Sequence, residues 1–169
     1  MPAPFRLLVP RRPSLLQRLA RRQPRENAPV AVNNLLAQAI RIRDVSVDDV
    51  AKICTLHRTE LHGRMQGRFE RLYRDYLAYC LEDRQLSDAE LADLAHLKTI
   101  LRIEPASAAA IHEHVARQIY SRTVADVLED GVIDDEECAF LGRLQQELAL
   151  SARAAQRLRE SGRRRRSGV

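Results

Sequence analysis

The sequence has no tryptophan, few aromatic residues, little glycine and no long apolar run. Aromatic residues make up 4% of the 169 residues, 6 residues are glycine, and all but one of the 7 prolines lie before residue 30. Sandwiches and barrels need many turns, so this scarcity of turn-forming residues disfavours them. No stretch approaches the roughly 18 consecutive apolar residues of a membrane-spanning helix, so no transmembrane segment is expected.

Cysteine is also scarce. Cys54, Cys80 and Cys138 form no C-x-x-C pair and no disulfide framework. Each of them lies among the apolar residues of a helical pattern. The pattern therefore predicts small buried thiols in a reducing compartment, and the alternatives are a metal ligand or a catalytic nucleophile.

Apolar residues make up 45% of the chain and recur at the helical spacing of three and four. This spacing predicts an all-α protein, either a helical bundle or a short helical array. A long helical stretch runs from Ser46 to Cys80, with His57 on its apolar face and with Gly63 and Gly67 marking either a break or a close helix crossing. The other predicted helices cover 30–43, 88–103, 135–150, a connecting segment that starts at Pro105, and a last segment that starts at Ser151.

Residues 71–103 and 118–150 are similar to each other at an offset of 47 residues. The shared positions include helix-capping residues, a Leu-Glu-Asp turn and the apolar stripe that follows the turn. Such a shared period predicts a duplicated helix–loop–helix unit. In each copy a capping box should start the second helix, formed by Ser87 with Glu90 and by Asp134 with Glu137.

Positive charge is concentrated at the two ends of the chain. Residues 1–29 carry seven arginines against one glutamate, and residues 153–169 show the same balance. The residues between these ends are acidic, although the net charge of the whole chain is +5. This distribution predicts three parts: a basic, disordered arm (1–29), an all-helical domain (30–159) and a basic, disordered tail (160–169).

The basic ends are candidates for binding an anionic surface, because a guanidinium group makes bidentate contacts with phosphate or carboxylate. The candidate residues are Arg11, Arg12, Arg18, Arg21, Arg22, Arg163, Arg164, Arg165 and Arg166. Anionic membrane and nucleic acid both stay open as partners, although the few aromatic residues disfavour specific single-strand binding. The alternative is that the ends only keep the protein soluble.

The arginine-rich, acid-poor N-terminal segment lacks the apolar core and the cleavage site of a secretory signal. Its charge is similar to that of an organellar targeting segment, but it contains a single serine, Ser14. We therefore predict a cytoplasmic protein that is peripheral to a membrane through its basic ends. An organelle is the alternative location, reached after removal of the N-terminal segment.

Two strings in the repeats carry a resemblance to known families. Y-x-x-x-V-x-x-V-L-x-D-G-x-I-D-x-x-E in the second copy resembles the helical domain of TerB, the tellurite-resistance family. L-S-D-A-E-L, followed by I-H-E-H-V-A-R-Q-I-Y and L-E-D-G, is similar to the repeated soluble helices of the large chloroplast inner-envelope import subunit. The resemblance covers residues 70–152 and implies an all-helical bundle with acidic loops, in a family with few known enzymes.

The acidic loop of the second copy is the candidate metal site. Asp126, Asp130, Asp134 and Glu137 fit the first, fifth, ninth and last positions of a twelve-residue calcium loop, but Leu128 at the third position cannot ligate through its side chain. TerB-like domains are thought to hold divalent ions with such acidic residues, so the resemblance implies calcium or magnesium. A capping box with an Asp-Gly turn explains the same residues without an ion.

No catalytic motif stands out from these patterns. We therefore predict a non-enzymatic, TerB-like helical scaffold or adaptor that has a protein partner and no definite cofactor, and that its basic ends hold to an anionic surface. The alternative is a divalent-cation-binding protein of the stress response, of the tellurite-resistance kind, that uses the acidic loop 126–137.

Overall fold

The computed structural model describes residues 4–14, 23–82, 86–128 and 133–167, and for 165–167 it describes the backbone alone. Within these ranges the chain forms seven α-helices and no strand, so the all-α prediction is confirmed. No helix in the described ranges combines the length and the apolarity that a membrane crossing requires. The helices are α1 (Ala28–Gln38), α2 (Val47–Leu56), α3 (Gln66–Cys80), α4 (Asp88–Ile100), α5 (Pro105–Val127), α6 (Asp135–Glu147) and α7 (Ala152–Ser167).

Contacts group the chain into two compact units. Unit 1 comprises Met1–Tyr79 and Ser87–Ala108, and unit 2 comprises Cys80–Leu86 and Ala109–Val169. In unit 1, α1 packs against α2 and α2 packs against α4. Fully buried side chains from α1, α2, α3 and α4 form its apolar core: Val32, Val50, Phe69, Leu77, Leu97 and Ile100.

The carboxylate of Asp93 in α4 joins three parts of unit 1. It accepts a hydrogen bond from the Tyr76 hydroxyl of α3 at 3.0 Å. It also accepts one at 2.8 Å from the Arg43 guanidinium, which lies in the 3-10 turn Ile42–Asp44. The side chain of Asp93 is largely shielded from solvent, so this ion pair is stronger than a fully exposed one. Asp93 therefore links α4 both to the 3-10 turn before α2 and to α3.

The core of unit 2 is formed by α5, α6 and α7. Its fully buried side chains include Tyr120 and Val124 of α5 and Leu141 and Leu144 of α6. The Tyr120 hydroxyl has no hydrogen-bond partner among the described residues, and burial raises the pKa of this phenol. Its environment is therefore predominantly apolar.

The starts of α4 and α6 confirm the predicted capping boxes. The Ser87 hydroxyl accepts from the Glu90 backbone N–H at 3.3 Å, and the Glu90 carboxylate accepts from the Ser87 N–H at 2.9 Å. Asp134 and Glu137 make the same exchange at 2.8 and 3.0 Å. Each box satisfies backbone N–H groups that have no partner within the helix.

Both helices end three residues earlier than the apolar stripe predicts. Arg102 and Ala149 adopt the left-handed conformation, each with φ 50°. The backbone N–H of the next residue then bonds back to the last helical turn, from Ile103 to the Lys98 carbonyl at 2.9 Å and from Leu150 to the Gln145 carbonyl at 3.0 Å. This closing pattern ends a helix even though neither left-handed residue is glycine.

Removing a helix cap should have the same effect in both copies. Ser87→Ala and Asp134→Ala should each lower the free energy of unfolding by about 1 kcal/mol, because each leaves a first-turn N–H without its acceptor. Urea unfolding, with and without millimolar calcium, measures this loss. Ser87→Asp and Asp134→Ser keep a capping oxygen and should unfold like the wild type. If Asp134→Ala instead abolishes a calcium-dependent stabilisation, the loop binds metal.

Several helix boundaries in the two repeat copies differ by 47 residues. The pairs are Cys80 and Val127, Asp88 and Asp135, and Arg102 and Ala149. The loop residues 83–85 and 129–132 lie outside the described residues, and they include part of both Leu-Glu-Asp turns. Duplication of the whole helix–loop–helix unit therefore stays a prediction.

The helix predicted over 30–43 is wrong at its C-terminal end. α1 stops at Gln38 because Ala39 is extended, with ψ 141°. Arg41 and Asp44 then close a 3-10 turn, in which the Asp44 carboxylate accepts from the Arg41 backbone N–H at 3.1 Å. Ile40, which lies within the predicted helix, is 96% exposed.

The long helical stretch from Ser46 is interrupted between α2 and α3. Arg58 (φ 50°) and Gly63 (φ 72°) are left-handed, and glycine adopts this conformation without strain. A Cβ at Gly67 would meet no atom within 4 Å among the described residues, so this glycine does not serve a close helix crossing. Of the two interpretations of Gly63 and Gly67, the break is confirmed.

The structure also differs from the prediction of two disordered ends. α7 continues to Ser167, so the tail 160–169 is helical over most of its length. Hydrogen bonds along the helix support it, from Gln156 to Glu160 at 3.0 Å and from the Ser161 hydroxyl to the Arg157 carbonyl at 2.7 Å. Part of the arm 1–29, residues 4–14, lies along α1 in a defined path.

Two of the three cysteines are buried as predicted. Cys54 and Cys80 are buried, but Cys138 is exposed, so the prediction is wrong for Cys138. This residue lies in the first turns of α6. Burial raises the pKa of the Cys54 thiol, and the charge of Arg102 offsets this only in part, which favours the inert thiol.

Candidate anion-binding cleft and basic helix

A basic cleft of about 650 Å³ lies in unit 1, where the arm meets the turn that follows α2. Four of its described lining residues are arginines, and one is a glutamate. The lining residues are Arg11, Arg12, Ser14, Gln23, Pro24, Arg25, Glu26, His57 and Arg58. This excess of guanidinium groups favours an anionic ligand such as a phosphate or a carboxylate.

One wall of the cleft is positioned by Asn27, which is buried at the start of α1. Its side-chain amide donates to the Arg11 carbonyl at 2.8 Å, and its side-chain oxygen accepts from the Arg11 N–H at 2.9 Å. The Arg11 guanidinium also pairs with the Glu26 carboxylate at 3.0 Å. Both of these charged side chains are largely exposed, so the pair orients Arg11 more than it stabilises the fold.

The opposite wall is formed by the end of α2. The backbone N–H of Thr59 bonds to the Cys54 carbonyl at 2.9 Å, and this closure places Arg58 in the left-handed conformation. His57, beside it, is buried, which confirms its predicted place on the apolar face. Its Nδ1 lies 2.9 Å from the Pro24 carbonyl. Because a carbonyl oxygen only accepts, Nδ1 carries the proton and His57 fixes the chain at Pro24.

A second basic surface lies on α7, in unit 2. Ala154 and Ala155 are buried on one side of this helix. Arg153, Arg157 and Arg164 are exposed and share the other side, since residues four and eleven positions apart align on a helix. We call these three residues the α7 arginine stripe. With 3.6 residues per turn the stripe spans about three turns of the helix.

Glycine at position 162 lets α7 approach α5 closely. A Cβ placed on Gly162 would lie 2.9 Å from Cγ1 of Val124 and 3.0 Å from Cδ1 of Leu128. Both distances are shorter than ordinary van der Waals contact. The backbone of α7 therefore packs directly on α5, and the packed side is opposite the α7 arginine stripe.

The arginines predicted from sequence fall into three groups. Arg11 and Arg12 line the cleft, and Arg163 and Arg164 are exposed on α7. The backbone of Arg165 and Arg166 continues the same helix. Arg18, Arg21 and Arg22 lie outside the described residues. The prediction that these residues bind an anionic surface is not tested by their positions and stays a prediction.

Sequence reasoning missed four arginines of these surfaces. Arg25 and Arg58 reach the cleft through the fold of unit 1, and no local pattern distinguishes them. Arg153 and Arg157 could have been found, because their four-residue spacing within a basic helix aligns them on one side.

The predicted metal site is only partly described. Asp134 and Glu137 hydrogen-bond to each other's backbone as a capping box, Asp126 lies on α5, and Asp130 lies outside the described residues. No three His, Cys, Asp or Glu side chains are placed to share an ion anywhere in the described ranges. Binding of calcium or magnesium by this loop stays a prediction.

Comparison with known proteins shows the family. A sequence model of the Tic110 family, described as chloroplast envelope transporter, matches residues 27–166. The chain belongs to the Tic110 family. The matched region starts at Asn27, immediately before α1, and continues into the last turn of α7, so the family region includes both units.

A curated relative within the Tic110 family is Protein TIC110, chloroplastic, of Arabidopsis thaliana. The two sequences are 30% identical over 105 residues, which is 57% of this chain and 10% of that protein. This chain therefore corresponds to a small part of its much longer relative. No solved structure matches the chain significantly. The similarity to the import subunit is thus confirmed at family level, and the TerB resemblance stays an expectation.

Proposed function

We propose that this protein is a helical scaffold at the chloroplast envelope, where it contacts protein partners of the import machinery and performs no catalytic step. The observation that carries the proposal is the family match over residues 27–166, which includes nearly the whole helical structure. The name of the Arabidopsis relative places that protein in the chloroplast. The proposal therefore adopts the organellar alternative in place of the cytoplasmic prediction.

The two basic surfaces supply the proposed attachment to an anionic surface. The cleft of unit 1 presents four arginines, and the α7 arginine stripe presents three more. Exposed arginines near an anionic lipid surface contribute about 1 kcal/mol each, so each surface can strengthen binding by several kcal/mol at low salt. Nucleic acid is a competing polyanion, and the family match favours the membrane.

Sedimentation with envelope vesicles tests this proposal. The full-length chain is mixed with vesicles from isolated chloroplast envelopes, with the same vesicles stripped of surface proteins by protease, and with phosphatidylglycerol–phosphatidylcholine vesicles. Binding should be tightest to the intact envelope, because both lipid and protein contacts are present there. Binding to the lipid vesicles should be weaker and should fall steeply as salt rises, since salt screens exposed charges over about 8 Å at physiological ionic strength.

The three kinds of vesicle separate the parts of the proposal. A chain that stays in the supernatant with intact envelope vesicles would contradict the envelope location. Equal binding to intact and stripped vesicles would contradict the proposed contact with a protein partner. Binding to the phosphatidylglycerol–phosphatidylcholine vesicles that salt does not weaken would contradict the electrostatic attachment.

A further inference from the structure

Residues 4–14 are held along α1 mainly through their backbone. The Asn34 side-chain amide donates to the Leu8 carbonyl and its side-chain oxygen accepts from the Leu8 N–H, both at 2.8 Å. Asn27 makes the same double contact with Arg11 at 2.8 and 2.9 Å. Asn33 donates to the Arg6 carbonyl at 2.7 Å. These three asparagines, which we call the asparagine ladder, therefore contact peptide groups of the arm rather than its side chains.

The spacing of the asparagine ladder matches an extended chain. Asn27 and Asn34 are seven residues apart, so they are separated by about 10.5 Å along a helix that rises 1.5 Å per residue. Leu8 and Arg11 are three residues apart, and an extended chain covers about 10 Å in three residues. The arm runs antiparallel to α1, so Leu8 lies opposite Asn34 and Arg11 lies opposite Asn27. The two spacings match, so both double contacts can form at once.

Side-chain packing adds one anchor to this arrangement. Phe5 is buried and stacks on Tyr76, with ring centroids 6.0 Å apart and an interplanar angle of 8°. By contrast Leu7 and Val9 are 65% and 93% exposed. A segment that served only to cover the core would bury these apolar side chains. The surface instead contacts one aromatic ring and the peptide groups of Arg6, Leu8 and Arg11, and it leaves the side chains of Leu7 and Val9 exposed.

We propose that the asparagine ladder and the face of the Tyr76 ring form a groove for an extended segment of another polypeptide, and that residues 5–11 occupy the groove as an internal substitute for it. The partner segment carries an aromatic residue at its first position and a basic residue six positions later, which pairs with Glu26 as Arg11 does. The ladder contacts the backbone of the segment at its second, fourth and seventh positions. Because Arg11 also lines the basic cleft, displacement of residues 5–11 would alter that cleft.

A labelled peptide with the sequence of residues 4–14 tests the groove in the full-length protein. Leu8→Pro removes the N–H that donates to Asn34, and it does not remove a buried side chain. This variant should free the groove and bind the peptide at least tenfold more tightly than wild type. In the wild type, residues 5–11 occupy the groove and so lower the fraction of protein that can bind the peptide. Fluorescence anisotropy measures the affinity. Adding Asn34→Ala to Leu8→Pro should cancel the gain.

Two matched peptides test whether the backbone is recognised. N-methylation at Leu8 blocks the hydrogen bond to Asn34 and should abolish binding, whereas replacing Leu8 by alanine in the peptide should leave binding within about threefold, since that side chain is half-exposed. Equal loss with both peptides would overturn backbone recognition. Equal affinity of wild type and Leu8→Pro, with helical circular dichroism retained, would overturn internal occupancy.

Two further measurements keep the test decisive. If Leu8→Pro does not fold, Phe5→Ala opens the groove by removing the ring that stacks on Tyr76, and the same tenfold gain is expected. Light scattering determines the oligomeric state of wild type and variant. A wild-type dimer that dissociates in Leu8→Pro would assign the groove to the arm of a second copy and overturn the proposal.

Discussion

Leu97→Ala should lower the free energy of unfolding by about 2–5 kcal/mol, and Leu144→Ala should cost a similar amount. The two leucines occupy the same position in α4 and α6, 47 residues apart, and they are 0% and 1% exposed. Each substitution removes three carbons from a packed core and leaves a cavity that its neighbours fill only in part. Urea unfolding followed by circular dichroism measures both losses.

Leu91→Ala is the matched control for this pair. Leu91 lies in α4, as Leu97 does, but it is 47% exposed. The same chemical change should therefore cost less than about 1 kcal/mol, because little apolar surface returns to water. A loss at Leu91 as large as that at Leu97 would contradict the assignment of the buried side of α4. A small loss at Leu144 would contradict the core of unit 2.

Local signals account for the parts of the fold that the sequence predicted well. Ser87 and Glu90 mark a helix start within four residues, and Pro105 marks another, because the first turn of a helix needs no N–H from proline. Both positions match the helices of the structure. Helix ends were less predictable. A glycine after a helix often marks its end, but here the left-handed residues are Arg102 and Ala149.

The arm and the cleft depend on contacts between residues far apart in the sequence. Asn34 and Leu8 are 26 residues apart, and His57 and Pro24 are 33 residues apart. Neither hydrophobic periodicity nor a count of charged residues can predict such contacts. The arm was predicted to be disordered because it is basic and rich in proline, yet residues 4–14 are held by backbone contacts to asparagine and by the buried ring of Phe5. Composition alone cannot reveal this kind of order.

Replacing Arg153, Arg157 and Arg164 together by glutamine should weaken binding to phosphatidylglycerol-containing vesicles by roughly 150-fold at low salt. Each arginine near an anionic surface contributes about 1 kcal/mol, and 3 kcal/mol corresponds to a factor of roughly 150 in the binding constant. Glutamine has a helix propensity close to that of arginine, so α7 should remain helical. Sedimentation with vesicles over a series of salt concentrations measures the change.

An equal change of net charge elsewhere provides the control for the α7 arginine stripe. Arg64, Arg71 and Arg74 lie in or beside α3 in unit 1, outside both basic surfaces. If attachment depends on the stripe, their replacement by glutamine should weaken binding much less, although the net charge changes by the same amount. Equal losses in the two triple variants would mean that net charge alone drives binding. A stripe variant that binds as well as wild type would leave the cleft of unit 1 as the attachment site, and Arg58→Gln should then show the loss.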